Sequence, residues 1–314
     1  MPDDFADSLS LLNAYENGLT GYIESPRDKA EFLDSQPWQY FDEPNIKDSG
    51  KGQRALLWGY ALACDPRMFE ERQTTGDCTS HGSRGARDVT RASAIMVRGV
   101  HYSWFRRGAT EPTYGARGHS GQGMSPARAS KFERDVGFLA RDKYPPCDLT
   151  KYDASYGIKW GGKGVPDDVQ KLCNNNKVGR ITNVRTQDDL MDAMFNGYAA
   201  HSGQNASWSN KPTGNIHRRT PQGWMHDMAI LGYDDTKSHW PYRVWFVQNS
   251  WGKWNTPVPD WPSDYPPQPA GMIVTKDEDF AVCVASGDCW VYGSIDGYPP
   301  QRLPDYGAIG LLSR

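Results

Sequence analysis

A histidine and an asparagine on two consecutive predicted strands constrain the fold more than any other feature of this chain. The first strand follows Gly223 and contains His226, and the second ends at Asn249, which opens the run Asn-Ser-Trp-Gly. Residues 225–232 and 242–249 both show short apolar runs bounded by turn residues, which predict strands. A β-rich half of the chain that holds a possible general base beside an amide able to orient it is therefore expected.

An earlier segment contains a candidate nucleophile for this base, Cys78. Small or apolar residues recur every three or four positions after Cys78, at Gly82, Ala86, Val89, Ser93 and Met96. This period predicts a helix over residues 78–97. A helix N-terminus favours the reactive thiolate because unpaired backbone N–H groups lie there. The predicted catalytic set is therefore Cys78 as nucleophile, His226 as base, Asn249 as its orienting residue, and Gln73 with the Cys78 N–H as oxyanion donors.

Local patterns predict further elements along the chain. Helices are expected at residues 9–15, 28–33, 125–136, 167–173 and 186–195, and strands at 181–184, 198–201, 271–275 and within 280–292. The chain after residue 65 is thus helical at first and rich in strands after residue 197. This order predicts an α+β fold in which two unlike lobes meet at a cleft. Arg84, Arg87 and Arg91 are expected on a solvated face of the long helix.

The predicted domain organisation follows the same change of pattern. Residues 1–65 are interpreted as an N-terminal extension because much of this region is polar and rich in turn residues. Residues 66–314 form the main domain, with a helical lobe at about 66–150 and a β-rich lobe at about 180–295. The Pro-rich residues 255–269 are interpreted as a surface insertion.

Composition excludes several classes of protein. The formal net charge of −3 over 314 residues argues against a nucleic-acid-binding protein. The mean hydropathy is −0.72, and no stretch approaches the ~18–20 apolar residues of a membrane span. The N-terminus is acidic and has neither the basic nor the apolar region of a signal peptide. We therefore expect no signal peptide, no membrane partner and no nucleic acid partner.

The six cysteines point to thiols rather than to a metal site. No Cys-x-x-Cys motif is present, so neither a structural zinc site nor another metal is expected. If Cys78 is an unpaired nucleophile, five cysteines remain, and an odd number cannot all pair. Reduced cysteines are the expectation without a signal peptide. A disulfide between Cys283 and Cys289 is the alternative for an oxidising environment.

The motifs around these residues resemble those of the papain-like cysteine peptidases. The family's glutamine before a Gly-small-Cys motif is matched by Gln73, Gly76 and Cys78. Its glycine-rich cleft segment, Gly-hydrophobic helix end and Tyr-Pro pair are matched in order by residues 121–124, 136–139 and 144–145. Its histidine strand, Asn-Ser-Trp-Gly signature and following strand are matched by residues 226–233, 249–252 and 271–274. The resemblance covers roughly residues 66–290.

The resemblance implies a fold, an activity and a set of substrate contacts. The implied fold is the papain-like two-lobe fold, with a helical lobe around the Cys-bearing helix and a β-barrel-like lobe across the cleft. The implied activity is that of an endopeptidase that hydrolyses a polypeptide substrate through Cys78, His226 and Asn249 without a cofactor. Implied substrate-binding residues are Gly121, Gly123, Met124 and Trp251. Met124 is expected to line a pocket for an apolar side chain, and Trp251 is expected either to shield the His226–Asn249 hydrogen bond or to be a core residue.

The chain departs from the family pattern close to the nucleophile. Gln73 lies five residues before Cys78, one fewer than is usual in the family. Asp77 replaces a small neutral residue, and its charge opposes formation of a thiolate. Thr79 stands where the family usually has tryptophan. These differences bear on whether the site is catalytically active rather than on the fold.

The sequence is also compatible with two alternative functions and with one alternative general base. The first is a catalytically weak or inactive papain-fold structural protein of a virion or other assembly, which would bind partners through residues 1–65 and 255–269. The second is a peptidoglycan hydrolase. His81, one helical turn beyond Cys78, is the alternative base. The expected location is the cytoplasm of a bacterial host or a virion.

Overall fold

The structure is a computed structural model, and it describes residues 19–41 and 49–293. Nine α-helices occur in these ranges: α1 (Pro26–Asp34), α2 (Trp58–Cys64), α3 (Cys78–Val97), α4 (Glu111–Gly115), α5 (Pro126–Asp135), α6 (Ala154–Gly161), α7 (Asp167–Cys173), α8 (Gln187–Phe195) and α9 (Asp277–Ala285). The predicted helices from residue 28 onward correspond to α1, α3, α5, α7 and α8. The helix predicted at residues 9–15 lies outside the described residues.

Nine strands accompany these helices. They are β1 (Arg54–Leu56), β2 (Lys143–Tyr144), β3 (Cys147–Asp148), β4 (Ile181–Asn183), β5 (Ala200–Trp208), β6 (Arg219–Asp234), β7 (Val244–Gln248), β8 (Met272–Lys276) and β9 (Cys289–Tyr292). Seven of them form one sheet in the order β4-β9-β5-β6-β7-β8, with β1 also paired to β6. The two ends of this sheet, β4 and β8, do not pair with each other in the described part of the chain, so the β-rich lobe is built on an open sheet rather than a closed barrel.

All pairings within the main sheet are antiparallel. The long strand β6 is central: His226 lies opposite Gln204 of β5, and Ala229 lies opposite Gln248 of β7. Asn249 follows directly after β7. The sheet register therefore fixes the histidine and the asparagine on neighbouring strands.

The long helix α3 packs against β6 through its glycines. A Cβ added at Gly85 would lie 2.6 Å from the Cβ of Ala229, and one added at Gly82 would lie 2.3 Å from Oδ1 of Asp227. Larger side chains at these positions would push the helix off the sheet. The close approach of this helix to the sheet therefore depends on its small residues.

Arg84 and Arg87 on the opposite face of α3 are also buried, so the predicted solvated face is wrong for these two, whereas Arg91 is partly exposed. Arg87 is 1% exposed and donates hydrogen bonds to Asp88 over 3.0 Å and to Glu133 of α5 over 2.9 Å. Arg84 is 5% exposed and pairs with Glu71. Charged residues are seldom buried alone, but pairing with opposite charges allows their burial.

A second hydrophobic core supports the helical lobe on the far side of α3. Its buried residues are Ala109, Phe132, Leu139, Cys147, Leu149, Trp160, Val165, Val169 and Cys173. The main core lies around the sheet and includes the fully buried Trp58, Trp208, Trp224 and Trp245. Helical and β-rich lobes with separate cores agree with the predicted two-lobe α+β layout.

The strands predicted within residues 280–292 are only partly right. β9 is present, but Asp277–Ala285 is the helix α9. Three acidic residues occupy its first turn, where they complement the helix dipole, and Phe280, Cys283 and Val284 bury one face. The short apolar run suits either a strand or a helix, and the acidic first turn was the overlooked signal.

Parts of the N-terminal extension belong to the core. β1 pairs with residues 232–234 of β6, and Trp58 of α2 is fully buried. In the Pro-rich insertion, Val258 and Tyr265 are buried against the sheet. The domain boundary at residue 65 and the partner surfaces stay predictions, although β1 and α2 lie before that boundary and already join the main sheet and core.

The described residues contain no membrane-spanning helix, no metal-binding group and no disulfide. Every helix they contain is too short or too polar to cross a membrane. Within the same residues, His, Cys, Asp and Glu side chains form no group of three suited to a metal ion. All six cysteines are unpaired thiols, so Cys283 and Cys289 form no disulfide.

Candidate active site

Cys78 is the first residue of α3 and is completely buried. The helix begins there because the Asp77 carbonyl accepts the N–H groups of Ser80 and His81, over 3.0 and 3.2 Å. The backbone of Asp227, the residue after His226, hydrogen-bonds to the Cys78 sulfur. The nucleophile therefore lies against the strand that carries the predicted base.

The surroundings of Cys78 favour its neutral form. Burial raises the pKa of the Cys78 thiol well above its usual value, and the carboxylates of Asp227 and Asp77 raise it further. Hydrogen bonds from the backbone of Asp227 and Gly21 act in the opposite direction and are outweighed. In this arrangement Cys78 is a thiol, and it needs access to water or substrate before it can act as a nucleophile.

His226 and Asn249 form the side-chain pair that the sequence predicts. Nε2 of His226 lies 2.9 Å from Oδ1 of Asn249. Because an amide oxygen only accepts, Nε2 must carry the proton, and Nδ1 is left as the basic nitrogen. Nδ1 is buried and has no hydrogen-bond partner among the described residues. The ring is thus oriented by one nitrogen, and the other is available for a proton.

Aromatic side chains surround this pair. The ring centroid of Trp251 lies 4.6 Å from that of His226, and Trp224 approaches the histidine edge-on at 6.2 Å. Burial lowers the pKa of His226 to about 4, against the opposing effect of its hydrogen bond with Asn249. The indoles exclude water from the histidine and keep it neutral while the cleft is closed.

Gln73 links the two lobes beside the nucleophile. Its backbone N–H donates to the Ser250 carbonyl over 2.9 Å, and its side-chain oxygen accepts from the Ser250 hydroxyl. Its Nε2 donates to the carbonyls of Thr75 and Leu19, each over 2.8 Å. The amide that was predicted to hold an oxyanion is therefore already bonded to a carbonyl of the N-terminal extension.

Residues 19–23, the occluding segment, run across the nucleophile. Gly21 hydrogen-bonds to the Cys78 sulfur through its backbone, and its carbonyl accepts from the Met124 N–H over 2.8 Å. The Tyr22 N–H donates to the Met225 carbonyl over 3.0 Å. A Cβ at position 21 would lie 1.9 Å from the Gly76 carbonyl oxygen. Only glycine, which has no Cβ, fits this closely, and the Gly21 backbone completes the burial of Cys78.

The residues predicted to bind substrate lie at different distances from this segment. Met124 is buried and pairs with the occluding segment through its backbone, while Gly123 has a φ of +87° and faces Ile23. Trp251 donates from its indole to the Leu19 carbonyl over 3.3 Å. Gly121 is exposed, and its carbonyl accepts from Arg117 over 2.7 Å. Three of the four thus touch the occluding segment.

The unusual Asp77 is engaged by two neighbouring side chains. Its Oδ2 accepts the Tyr152 hydroxyl over 2.8 Å and lies 3.5 Å from Nε2 of His81. His81 is buried, with Nδ1 3.9 Å from Glu71 and its ring edge-on to Tyr152. These contacts direct the His81 ring toward two carboxylates and a phenol, and so disfavour it as a base for Cys78.

Sequence reasoning missed several residues around the site. Tyr22 closes the cleft, Gln122 accepts the Gly76 N–H over 2.8 Å, and Asp227 forms a buried pair with His201 at 3.0 Å. Asp227 adjoins His226 in the sequence, and this adjacency was an available signal. Burial raises the pKa of Asp227 to about 6, against the stabilising charge of His201. The positions of Tyr22 and Gln122 depend on contacts that no local pattern reports.

No protein-family model matches the sequence, and no curated protein matches it either. Solved structures do share its fold. Xylellain, a cysteine protease from Xylella fastidiosa, superimposes with a TM-score of 0.57 at 17% identity, over 88% of this chain and 97% of xylellain. Procathepsin L 3 from the larval midgut of Tenebrio molitor gives 0.50 at 14% identity, over 92% and 88% of the two chains.

A third solved structure extends the comparison to a plant protein. The ragweed pollen cysteine protease Amb a 11, in its proform, gives a TM-score of 0.53 at 15% identity, over 92% of this chain and 77% of that one. At such identities the likeness concerns the fold. This fold is the papain-like cysteine protease fold that the sequence motifs predicted.

Proposed function

We propose that this chain is a papain-like cysteine endopeptidase that hydrolyses peptide bonds and is kept latent by its own residues 19–23. The observation that carries the proposal is the 2.9 Å contact between His226 Nε2 and Asn249 Oδ1, which leaves Nδ1 as the base on the strand beside Cys78. The base and its orienting residue are thus paired, and Nδ1 makes no hydrogen bond to the Cys78 sulfur while the cleft is closed. A cysteine nucleophile requires that contact, so the proposal places it in the opened cleft.

The proposed reaction uses these groups in sequence. Nδ1 of His226 takes the proton of Cys78, and the sulfur attacks the peptide carbonyl. The Cys78 N–H and Gln73 Nε2 stabilise the oxyanion. The imidazolium then protonates the leaving amine, and water hydrolyses the acyl-enzyme by the reverse use of the same base.

Latency is supported by the contacts of the occluding segment. The Leu19 carbonyl accepts a hydrogen bond from the Gln73 side chain, and the Gly21 backbone hydrogen-bonds to the Cys78 sulfur. A substrate carbonyl therefore cannot reach either group. The procathepsin and the Amb a 11 proform, both similar in fold, are precursor forms by name. Ile23 is 37% exposed and Glu24 is exposed, so cleavage beside the buried contacts is sterically feasible.

The test is to release the segment after folding. A specific protease site is inserted between Glu24 and Ser25, where the chain is exposed and the cap of α1 stays intact. The cut protein is predicted to hydrolyse casein or a peptide library at least ~10-fold faster than the uncut protein, and its Cys78→Ala variant not at all. A cut protein that hydrolyses nothing and whose Cys78 reacts with no thiol-directed inhibitor contradicts the proposal.

The alternative of an inactive structural protein of a virion or assembly stays a prediction. One observation favours it: both Cys78 and His226 are fully buried. Rapid modification of Cys78 after the cut would count against it, whereas an inert thiol after the cut would favour it. The peptidoglycan hydrolase alternative has no supporting contact in the described residues, and cell-wall zymography of the cut protein tests it.

A further inference from the structure

One face of the C-terminal half of α3 lines a cavity that is separate from the cleft. The cavity measures about 310 Å³, a size typical of small-molecule sites, which span roughly 300–1,000 Å³. Arg91, Ile95 and Arg98 lie on this face because they follow one another at intervals of three or four residues. At a rise of about 1.5 Å per residue, Arg91 lies roughly 20 Å along the helix from Cys78. The cavity is therefore remote from the candidate nucleophile.

Segments that are distant in the sequence form the other walls of the cavity. Val100 and Trp104 come from the segment after α3, Phe138 follows α5, and residues 175–178 follow α7. Phe138 is buried, whereas Val100 and Trp104 are 39% and 74% exposed. Because these two exposed side chains also line the cavity, they lie at its mouth. Exposed apolar surface beside a cavity is typical of a ligand-binding site.

The charged side chains that line the cavity are all basic. Within the described part of the chain they are Arg87, Arg91, Arg98 and Lys177. Asp88 and Glu133, which lie outside the cavity, both pair with Arg87. Asp88 also lies 3.5 Å from Arg91. Lys177 is exposed and pairs with no carboxylate of the described residues, so its charge is not offset and favours an anionic ligand.

The Arg91 side chain is held in position by its neighbours. Its guanidinium lies over the Phe138 ring at 4.8 Å and over the Phe105 ring at 5.8 Å. Nη1 donates to the Arg106 carbonyl over 3.1 Å, and the contact with Asp88 uses the same nitrogen. The side chain is 28% exposed. A guanidinium has five N–H donors, so Nε and Nη2 keep donors for a carboxylate, whose geometry matches theirs.

The lining favours an anion that carries an aromatic ring. Trp104 presents an exposed indole, and Phe138 and Val178 are buried apolar side chains of the wall. Aromatic rings prefer stacked or edge-on contacts with one another. A bare inorganic anion would leave this apolar surface in water, whereas a purely apolar ligand would remove water from Arg91 and Lys177 without replacing its hydrogen bonds. An aromatic carboxylate satisfies both parts of the lining.

We propose that the cavity is a binding site for a small aromatic carboxylate, whose acid group pairs with Arg91 and Lys177 and whose ring packs against Trp104. The cavity is distinct from the cleft, so this inference does not depend on the proposed peptidase function. Neutral analogues lose the charge-assisted hydrogen bonds of the carboxylate. Cationic analogues are repelled by the same basic side chains.

Calorimetric titration of the full chain with 2-naphthoate tests this inference. We expect 2-naphthoate to bind at least ~10-fold more tightly than the neutral 2-naphthamide, because charge-assisted hydrogen bonds are roughly twice as strong as neutral ones. The cationic 2-naphthylmethylamine should show no binding. No binding of 2-naphthoate at millimolar concentration, or equal binding of the acid and the amide, overturns the inference.

Exposed lining residues supply variants that should fold normally. Lys177→Gln should weaken 2-naphthoate binding about 3-fold by removing one charge, and Trp104→Ala about 3–10-fold by removing the ring. Val100→Asp, which places a negative charge at the mouth, should also weaken it. Lys159→Gln and Trp38→Ala are the matched controls, since both residues are exposed and lie outside the cavity lining. Wild-type affinity in all three lining variants overturns the inference.

Photolabelling locates the bound carboxylate. 4-Benzoylbenzoate is irradiated with the full chain, and the labelled residues are identified by peptide mass mapping. We expect labels in residues 91–104 and 175–178 that an excess of 2-naphthoate suppresses. Labels confined to other residues, including those around Cys78, overturn the inference. Cys78→Ala should be labelled like the wild type, so a wild type that binds the carboxylate but hydrolyses no peptide contradicts the peptidase function alone.

Discussion

The side-chain amide of Gln73 donates a hydrogen bond to the carbonyl oxygen of Leu19 over 2.8 Å. The donor that we propose for a substrate oxygen is thereby occupied by an oxygen of the same chain. This hydrogen bond joins the proposed oxyanion donor to the segment that is proposed to keep the site latent.

Tyr22→Ala should loosen the occluding segment in the otherwise intact protein. Burial of a large aromatic side chain stabilises by roughly 1.5–3 kcal/mol, so the open fraction should rise about 10–100-fold. The measurement is the rate of Cys78 alkylation, followed by peptide mass mapping. Trp38→Ala is the matched control, since Trp38 lies in the same extension but is 54% exposed. The buried Cys173 and Cys289 report general unfolding in the same sample. Equal Cys78 rates in Tyr22→Ala and wild type would contradict the role of Tyr22.

Asn249→Ala should impair catalysis in the cut protein by leaving the His226 ring unoriented. Loss of a buried hydrogen bond costs about 1–3 kcal/mol, which corresponds to a fall in kcat/KM of roughly 10–100-fold. Asn255→Ala serves as the control because Asn255 donates to the Met272 carbonyl, over 2.8 Å, and not to His226. A variant of Asn249 with wild-type kcat/KM would remove Asn249 from the mechanism.

The uncut protein should lose stability in mild acid because of His226. Its pKa is lowered from 6.5 to about 4 by burial, so the unfolded chain binds a proton in this window and the folded chain does not. Stability therefore falls as pH falls from about 6.5 to about 4, by up to about 3 kcal/mol. Urea unfolding at pH 7 and pH 4.5 measures this loss. His226→Gln should reduce it, whereas the exposed His101→Gln should not; a loss of the same size in all three proteins would exclude His226 as its source.

Asp77→Asn should make Cys78 more reactive in the cut protein. The Asp77 carboxylate raises the pKa of the Cys78 thiol, so removal of its charge should favour the thiolate and speed alkylation several-fold at pH 7. Asparagine keeps an acceptor for the Tyr152 hydroxyl. The control is Asp167→Asn, an exposed carboxylate at the first residue of α7. A pH profile of alkylation that does not move toward lower pH would show that the Asp77 charge does not affect the pKa of the Cys78 thiol.

The parts of the fold that the sequence predicted are those set by local periodicity and by motif order. Helix α3 was predicted at its observed bounds because its small residues repeat every turn, and these same glycines pack on β6. The His226 and Asn249 strands were predicted from short apolar runs with turn residues between them. Helix α9 was missed because its apolar run is short, and its acidic first turn was the better signal.

Most of the unpredicted features depend on contacts between distant residues. Tyr22 bonds to Asp288, 266 residues away in the chain, and nothing in either segment indicates the other. The charge of Arg87 predicts exposure to solvent, but Asp88 and Glu133 pair with it in the interior. The identities of the candidate catalytic residues could thus be predicted, whereas the closure of the cleft required the three-dimensional structure.

The rate at which a peptide-based, irreversible thiol inhibitor modifies Cys78 tests the central claim most directly. It is measured by intact mass before and after the cut between Glu24 and Ser25, with His226→Ala as the matched control. We predict stoichiometric modification of Cys78 after the cut, at least ~10-fold faster than before it and dependent on His226. Slow modification that is the same before and after the cut, or unaffected by His226→Ala, would contradict a latent cysteine peptidase.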